Sequence, residues 1–242
     1  MSDIITIGVI GLGNAGLPIL KNLYKSKKYN IVAFDIDKNK LNDVSENITK
    51  ASSIKDLAGK CSVVLTCLPK PEHVLEAVDG KEGLLHNAHS GMIWIDTSTT
   101  DFKQTQKLAE KAKTFDVSML EATLTGGVHA LQNNNMVCLA GGDKEIFDKW
   151  KEVLQDAIGE VVVLCGDIGA GAIAKVVSNM LAFTNMVAAS ECMMIAKRAG
   201  LDLENFFDAI RVSAGNSFAW ETVVPHIFNQ KYESGFTMDL AC

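Results

Sequence analysis

At 242 residues, 48% hydrophobic and 21% charged, with 19 Gly and 4 Pro, the chain has the profile of a compact globular protein, not of a disordered or fibrous one. That length suffices for one domain and at least part of a second. A formal net charge of -6 excludes the basic footprint that nucleic acid or an anionic membrane would need, but leaves a polyanionic cofactor open, because amides and helix ends bind phosphate on acidic proteins too.

From the N-terminus, short apolar strands alternate with helical segments. Strands are expected over 4–10, 30–34, 62–67, 92–96, 118–121, 136–140 and 161–164, and helices over 17–26, 102–113 and 144–157. The strands read as continuous apolar runs, so both faces of the sheet should be covered. Such alternation specifies an α/β fold with a doubly wound, mostly parallel sheet.

The first strand runs into Gly11-Leu12-Gly13-Asn14-Ala15-Gly16, a GxGxxG followed directly by a helical pattern. This is the context in which the motif binds a dinucleotide. Gly11 permits the tight turn, Gly13 lets the backbone approach a pyrophosphate, and Gly16 lets helix and strand pack closely. The pyrophosphate then meets free amides and the positive end of the helix dipole. Asp35 closes the second strand, where an acid bonds the ribose hydroxyls of NAD. A 2′-phosphate there would be repelled by roughly 1 to 4 kcal/mol at about 4 Å, between water and an effective dielectric of 20. NAD is therefore expected, with NADP left open by Lys38 and Lys40.

After about Asp167 the strands stop. Helix-friendly sequence follows Gly169-Ala170-Gly171 as far as Arg198, about 40 Å at 1.5 Å per residue, with Gly200 as its stop. Further helices are expected over 203–212 and around 220–228. The expected organisation is a dinucleotide-binding Rossmann domain over 1–166 and an all-α substrate and dimerisation domain over 167–242, entered by a long interdomain helix. The apolar stretch 176–190 contains Asn179 and Asn185 and falls short of the about 18 uninterrupted residues a membrane span requires. It is expected to be a buried core helix. The six cysteines lack paired CxxC spacing and read as reduced core residues of a reducing compartment. The first strand begins within a few residues of Met1, which leaves no room for a leader, so a cytoplasmic protein is expected.

The ordered motifs Gly11-Leu-Gly-Asn-Ala-Gly16, Cys67-Leu68-Pro69, Asp96-Thr-Ser98-Thr99, Glu121-Ala-Thr-Leu-Thr125-Gly126-Gly127 and Gly169-Ala-Gly-Ala-Ile-Ala-Lys175-Val-Val-Ser-Asn179 resemble those of the β-hydroxyacid dehydrogenase family. That family includes 3-hydroxyisobutyrate dehydrogenases and tartronate semialdehyde reductases, and the resemblance covers essentially the whole chain. It implies that Leu68, Pro69 and Thr99 line the nicotinamide side of the cofactor site. It further implies that Thr125, Gly126 and Gly127 form the substrate-carboxylate loop. Lys175 matches the family's catalytic lysine, and Asn179 its partner one helical turn on, where a spacing of four puts both on one face. A lysine in so apolar a stretch is unusual, and desolvation would lower its pKa.

Two departures stand out. The family usually reads Asp-Ala-Pro-Val-Ser-Gly-Gly where this chain has Glu-Ala-Thr-Leu-Thr-Gly-Gly, and the added methyl of Thr125 bears on which substrates fit. The chain also ends at Gly235-Phe-Thr-Met-Asp-Leu-Ala-Cys242, where relatives continue into a Lys-Asp-Leu motif and further helical domain. His86 and His89 are expected in a polar surface loop and His129 carries no specific role. Trp94 and Trp150 are expected to pack, Phe218 and Trp220 are candidate pocket walls, and the Cys192-Met-Met-Ile run is expected in the core. The leading reading is an oxidoreductase passing hydride between NAD(H) and a small 3-hydroxy acid or its semialdehyde. The expected partners are a small-molecule carboxylate and a second or fourth copy of the chain, a homodimer or homotetramer, without nucleic acid or membrane. The competing readings are a catalytically silent dinucleotide-binding protein of the same fold and a decarboxylating sugar-acid dehydrogenase, which needs a larger helical domain and a phosphate site.

Overall fold

The computed structural model describes residues 4–126 and 128–229. Gly127 and the 235–242 stretch singled out above lie outside the described residues, as does the side chain of His129.

The strands are β1 (Thr6–Ile10), β2 (Asn30–Phe34), β3 (Thr49–Lys50), β4 (Val63–Thr66), β5 (Ile93–Asp96), β6 (Ser118–Thr125), β7 (Val137–Gly141) and β8 (Val162–Gly166). They form one sheet in the order β3-β2-β1-β4-β5-β6-β7-β8, parallel throughout except where β7 runs antiparallel to β6. The order reverses at β1, so β2 and β4 flank it and the chain connections leave β1 and β4 in opposite directions. In open sheets of this kind a ligand crevice forms at the carboxyl ends of the strands beside that switch point.

Helices α1 (Gly16–Ser26), α2 (Ile54–Ala58), α3 (Pro71–Asp79), α4 (Leu84–Asn87), α5 (Phe102–Thr114), α6 (Val128–Gln132) and α7 (Lys144–Ala157) cover the sheet. One face carries Ile7, Val9, Leu65, Ile95 and Leu120, packed with Ile19, Leu20 and Leu23 of α1 and Phe147, Trp150 and Leu154 of α7. The other carries Ile10, Val64 and Trp94, packed with Leu57 of α2, Val74 of α3, Leu85 of α4 and Leu108 of α5. Neighbouring residues of one strand point to opposite faces, and both faces are buried, which is why the strands read as unbroken apolar runs. Ile19, Leu20 and Leu23 are fully buried, and at about 1.5–3 kcal/mol each they fix α1 against the sheet.

The two-residue β3 and the short helices α2, α3, α4 and α6 were not expected. Strand β6 runs four residues beyond its expected end, because Ala122, Thr123, Leu124 and Thr125 pair antiparallel with Ala140, Leu139, Cys138 and Val137. His86 lies on α4, not in a loop, with its ring edge-on to Phe115, whereas His89 lies in the loop after α4 and reaches the Cys61 carbonyl; both are exposed, as expected of surface residues. Trp94 is fully buried and donates to Thr66 Oγ1, and Trp150 is buried in the other layer.

The chain divides into two compact units, Met1–Lys175 and Val176–Cys242, with the division inside the 29-residue helix α8 (Ala170–Arg198). The second unit adds α9 (Leu203–Arg211) and α10 (Phe218–Phe228), capped by Asp202 and Ser217. Its core joins Ala189, Met193, Trp220 and Val224 to Phe206, Phe207, Ile210 and Phe228. Trp220 stacks on Phe207 and donates to its carbonyl at 3.1 Å, so it is a core residue of this unit and not a pocket wall, whereas Phe218 is exposed.

Helix α8 does not form the buried core helix that was expected. Its buried side chains are Ala172, Ala189, Met193 and Ala196, while Ile173, Val176, Met180, Leu181 and Val187 are exposed. It is long enough, and at a mean hydropathy of 1.3 over its most apolar stretch apolar enough, to cross a membrane by length and composition alone, which corrects the expectation that it falls short. Apolar residues recur all around the helix, so the sequence alone gives no sign of which side the chain itself covers. Within the Cys192-Met-Met-Ile run only Met193 is buried, and Cys165 and Cys192 are exposed, unlike Cys61 and Cys138.

Candidate functional site

The carboxyl ends of β1, β2, β4 and β5 meet at the switch point, and backbone bonds tie them together. The Gly11 amide donates to the Phe34 carbonyl at 2.9 Å, and the Cys67 amide to the Ile10 carbonyl at 2.9 Å. Each glycine of the turn is required for a different spatial reason. Gly11 sits at φ +92°, and a Cβ there would fall 2.3 Å from the Cys67 carbonyl oxygen. A Cβ at Gly16 would fall 1.9 Å from the Gly11 carbonyl oxygen, so α1 could not start so close to β1. A Cβ at Gly13 would meet nothing within 4 Å. Gly13 therefore answers to no packing demand of the protein itself; the space beside it is free for a ligand.

Helix α1 begins differently from its neighbours. Asp101 caps α5 and Asp143 caps α7, each accepting from two backbone amides. At α1 the N-cap is Ala15, no side chain caps the end and no acid lies in the first turn. Its amide end is left without a side-chain partner, the arrangement that accepts a phosphate. Leu12 is buried, Asn14 is exposed and Ala15 is partly buried, so the turn is anchored by Leu12 and open at Gly13 and Asn14.

Asp35 does two things at the end of β2. Its Oδ2 accepts from the Leu12 amide at 2.7 Å and its Oδ1 from the Asp37 amide at 2.8 Å. It thus holds the glycine turn in place while its partly exposed carboxylate stays within reach of a ribose. The next residue, Ile36, is 93% exposed. An apolar side chain so fully in water beside this carboxylate lies past the expected end of the strand and is not among the residues singled out in the sequence.

On the β4–β5 side, Leu68 is partly buried and Pro69 and Thr99 are exposed. The Leu68 amide donates to Ser98 Oγ at 3.0 Å. Behind it the fully buried Asp96 accepts from the Ser98 amide at 3.1 Å and from Thr66 Oγ1 at 2.8 Å, and Trp94 in turn donates to Thr66 Oγ1. Burial pushes the Asp96 carboxyl up to about 6, against the hydrogen bonds from Ser98 and Thr66 that favour its charged form. The neighbouring Cys67 thiol is pushed up to about 11, again by burial, so it is an inert packing thiol.

Thr125 is the last residue of β6, paired with Val137, and Gly126 follows at φ +119°, a conformation suited to glycine. Lys175 is partly buried on α8. Burial alone lowers its pKa, and among the described residues no hydrogen bond or ion pair holds its ammonium. Asn179 lies one turn further along α8, in the second compact unit, and is partly exposed. The structure therefore brings Gly11–Gly16, Asp35, Leu68 and the Ser98–Thr99 segment to one sheet end. Sequence reading overlooked Glu121 as well, a buried carboxylate in the middle of β6.

Residues 6–166 match the family model described as the NAD binding domain of 6-phosphogluconate dehydrogenase, and residues 169–242 the model described as NAD-binding of NADP-dependent 3-hydroxyisobutyrate dehydrogenase. The chain is 31% identical over 240 residues to the human mitochondrial 3-hydroxyisobutyrate dehydrogenase, covering 95% of this chain and 70% of that protein. It is 29% identical to 2-(hydroxymethyl)glutarate dehydrogenase of Eubacterium barkeri, covering 99% of this chain and 80% of that one. Among solved structures, a Mycobacterium tuberculosis 3-hydroxyisobutyrate dehydrogenase with L-serine superposes at a TM-score of 0.90, with 26% identity over 98% of this chain and 83% of that chain. With a glycine turn, an uncapped α1 and a strand-end acid that fit NAD(P) as cofactor, the chain belongs to the β-hydroxyacid dehydrogenase family.

Proposed function

We propose that this protein interconverts a small 3-hydroxy acid and its semialdehyde, with Lys175 as general acid and base. The observation that carries the reading is Lys175 itself: an amine partly desolvated, its pKa lowered by burial, with no carboxylate among the described residues to neutralise it. A lysine that serves only packing or an ion pair would extend to water or meet an acid. The relative solved with L-serine, itself a 3-hydroxy carboxylate, supports the substrate class.

The bound dinucleotide supplies or accepts the hydride. In the reducing direction the Lys175 ammonium donates a proton to the substrate oxygen as that oxygen gains charge; in the oxidising direction the amine takes it back. Asn179 follows Lys175 by one helical turn on the same helix face and is a substrate-binding residue in this reading. Thr125 and Gly126 hold the substrate carboxylate, the hydroxyl and amide donating to it. Asp35 favours NAD over NADP, and exposed Ile36 offers an apolar face to the adenine. The same reading includes a homodimer or homotetramer, supported by the exposed apolar residues of α8 such as Val176, Met180 and Val187, and a reducing cytoplasmic setting.

NADH oxidation with a panel of 3-oxo acids and semialdehydes, set against 2-oxo acids, tests the assignment. Turnover is expected with the first group and is expected to fall about 10²- to 10⁴-fold in Lys175→Ala, the usual contribution of a positioned acid–base group. Silence across the whole panel would leave the dinucleotide-binding reading in its place.

A further inference from the structure

Helix α8 starts without a cap of its own. Its first turn, Ala170 to Ile173, contains no acid, and the side chains there are methyls, hydrogens and one isoleucine. The missing anion comes from another element. Glu121, on β6, is 2% exposed and turns both carboxylate oxygens onto the start of the helix. Oε2 accepts from the Gly169 amide at 2.9 Å and the Gly171 amide at 3.1 Å, and Oε1 accepts from the Ala172 amide at 2.6 Å.

The surroundings are shaped for this carboxylate. A Cβ at Gly141 would fall 2.4 Å from Oε2, and one at Gly171 would fall 3.1 Å from its Cδ and 2.7 Å from the Leu139 carbonyl oxygen. Two residues along β6, on the same face, the Thr123 hydroxyl lies 3.2 Å from the Gly171 carbonyl oxygen and 3.0 Å from that of Leu139. Three amide donors and the positive end of a long helix favour a carboxylate over a carboxylic acid, whose O–H would face an amide. Burial works the other way and pushes the Glu121 pKa up. A charged group is kept buried at that cost where its geometry matters.

We propose that Glu121 is a positioning residue for the reaction: a carboxylate on β6 that caps α8 from outside and fixes the turn carrying Lys175. Lys175 follows Ala172 by three residues, less than one helical turn, so a shift of the capped end is passed directly to the amine. A misplacement of about 1 Å at a catalytic group costs up to about 10²-fold in rate. The family's usual acid at this position of the motif is Asp; the extra methylene of Glu121 is accommodated by the absence of side chains at Gly141 and Gly171.

The inference rests on Lys175 being the proton donor, and the test keeps the two apart. Hydrogen–deuterium exchange of the 169–175 amides, NADH affinity, and kcat and KM with an active semialdehyde are measured for wild type, Glu121→Gln, Gly171→Ala and Lys175→Ala, well below each melting temperature. Glu121→Gln replaces one acceptor oxygen by an NH2 that faces amide donors. It is expected to speed exchange in 169–175 at least tenfold and to lower kcat about 10- to 100-fold, with NADH affinity within twofold. Gly171→Ala, which crowds the same carboxylate from the helix side, is expected to do the same. Glu121→Asp, which keeps the charge, is expected to recover part of kcat. Faster exchange with an unchanged kcat in Glu121→Gln, while Lys175→Ala is dead, would reduce Glu121 to a structural cap and overturn the proposal. Unchanged exchange in 169–175 would overturn it as well. A Lys175→Ala variant with full kcat would instead remove the lysine reading, whatever Glu121 does to exchange.

Discussion

Adding a single methyl group at Gly13 and at Gly16 separates the glycine that serves the ligand from the one that serves the fold. At Gly13 the backbone conformation is one alanine adopts, and the new carbon would meet no atom within 4 Å. The free protein should tolerate it as it does an ordinary surface change, within about 0.5 kcal/mol. A pyrophosphate lying against that backbone would meet the methyl, and an intruding methylene in a packed contact costs about 1–3 kcal/mol, or roughly 5- to 150-fold in NADH affinity. At Gly16 the same carbon would be driven to 1.9 Å from the Gly11 carbonyl oxygen, so α1 or the turn must shift even without ligand. The cost of about 1–3 kcal/mol now falls on folding, and melting should drop by about 2–12 °C at about 2–4 °C per kcal/mol for a chain of this length. Thermal unfolding without nucleotide and fluorescence titration with NADH read the two quantities separately. The reasoning is refuted if Gly13→Ala binds NADH as wild type does, or if it melts as low as Gly16→Ala.

Asp35→Asn should keep the bond to the Leu12 amide but lose the charge that repels a 2′-phosphate, shifting the ratio of NADPH to NADH dissociation constants at least tenfold toward NADPH; a ratio unchanged by titration would rule out Asp35 as the discriminating group. The buried Asp96, raised from 3.8 to about 6, keeps its proton longer in the folded than in the unfolded chain, so stability should fall by about 3 kcal/mol as pH rises from about 4 to 6 and be flat above. Asp96→Asn should flatten that window in urea titrations, and a slope that persists would assign it to another group. Trp220→Ala should cost about 3–5 kcal/mol in the second unit's core by loss of its packing on Phe206 and Phe207, while Trp220→Phe costs less; near-ultraviolet circular dichroism with urea melts decides, and a near-neutral Trp220→Ala would return the residue to the pocket-wall role.

The parts of the fold legible in the sequence are those with a local physical signature. β2 and α7 fall on their expected limits because an apolar run bounded by polar residues, and an Asp143 cap ahead of an amphipathic repeat, are visible without knowing the partners. The glycine turn was legible in the same way, as three steric demands in a row. What escaped depends on contacts distant in sequence. β6 outran its expected end because Thr123 and Thr125 look like loop residues until β7 pairs with them. The exposure of α8 was hidden because an apolar helix has the same composition whether or not anything covers it. Glu121 was quoted as a letter of a motif, yet a glutamate amid Met119, Leu120 and Ala122 is itself an anomaly, since charge is rarely buried without partners. That signal was present; the partners, 48 to 51 residues away, were not.

Lys175 is proposed above as the proton donor. The most direct test of that role is the single-turnover rate of NADH oxidation at saturating NADH and semialdehyde, for wild type and Lys175→Ala, with NADH dissociation constants measured alongside. The account requires a rate at least about 10²-fold lower in the variant with NADH binding unchanged. Equal rates in the two proteins would contradict it.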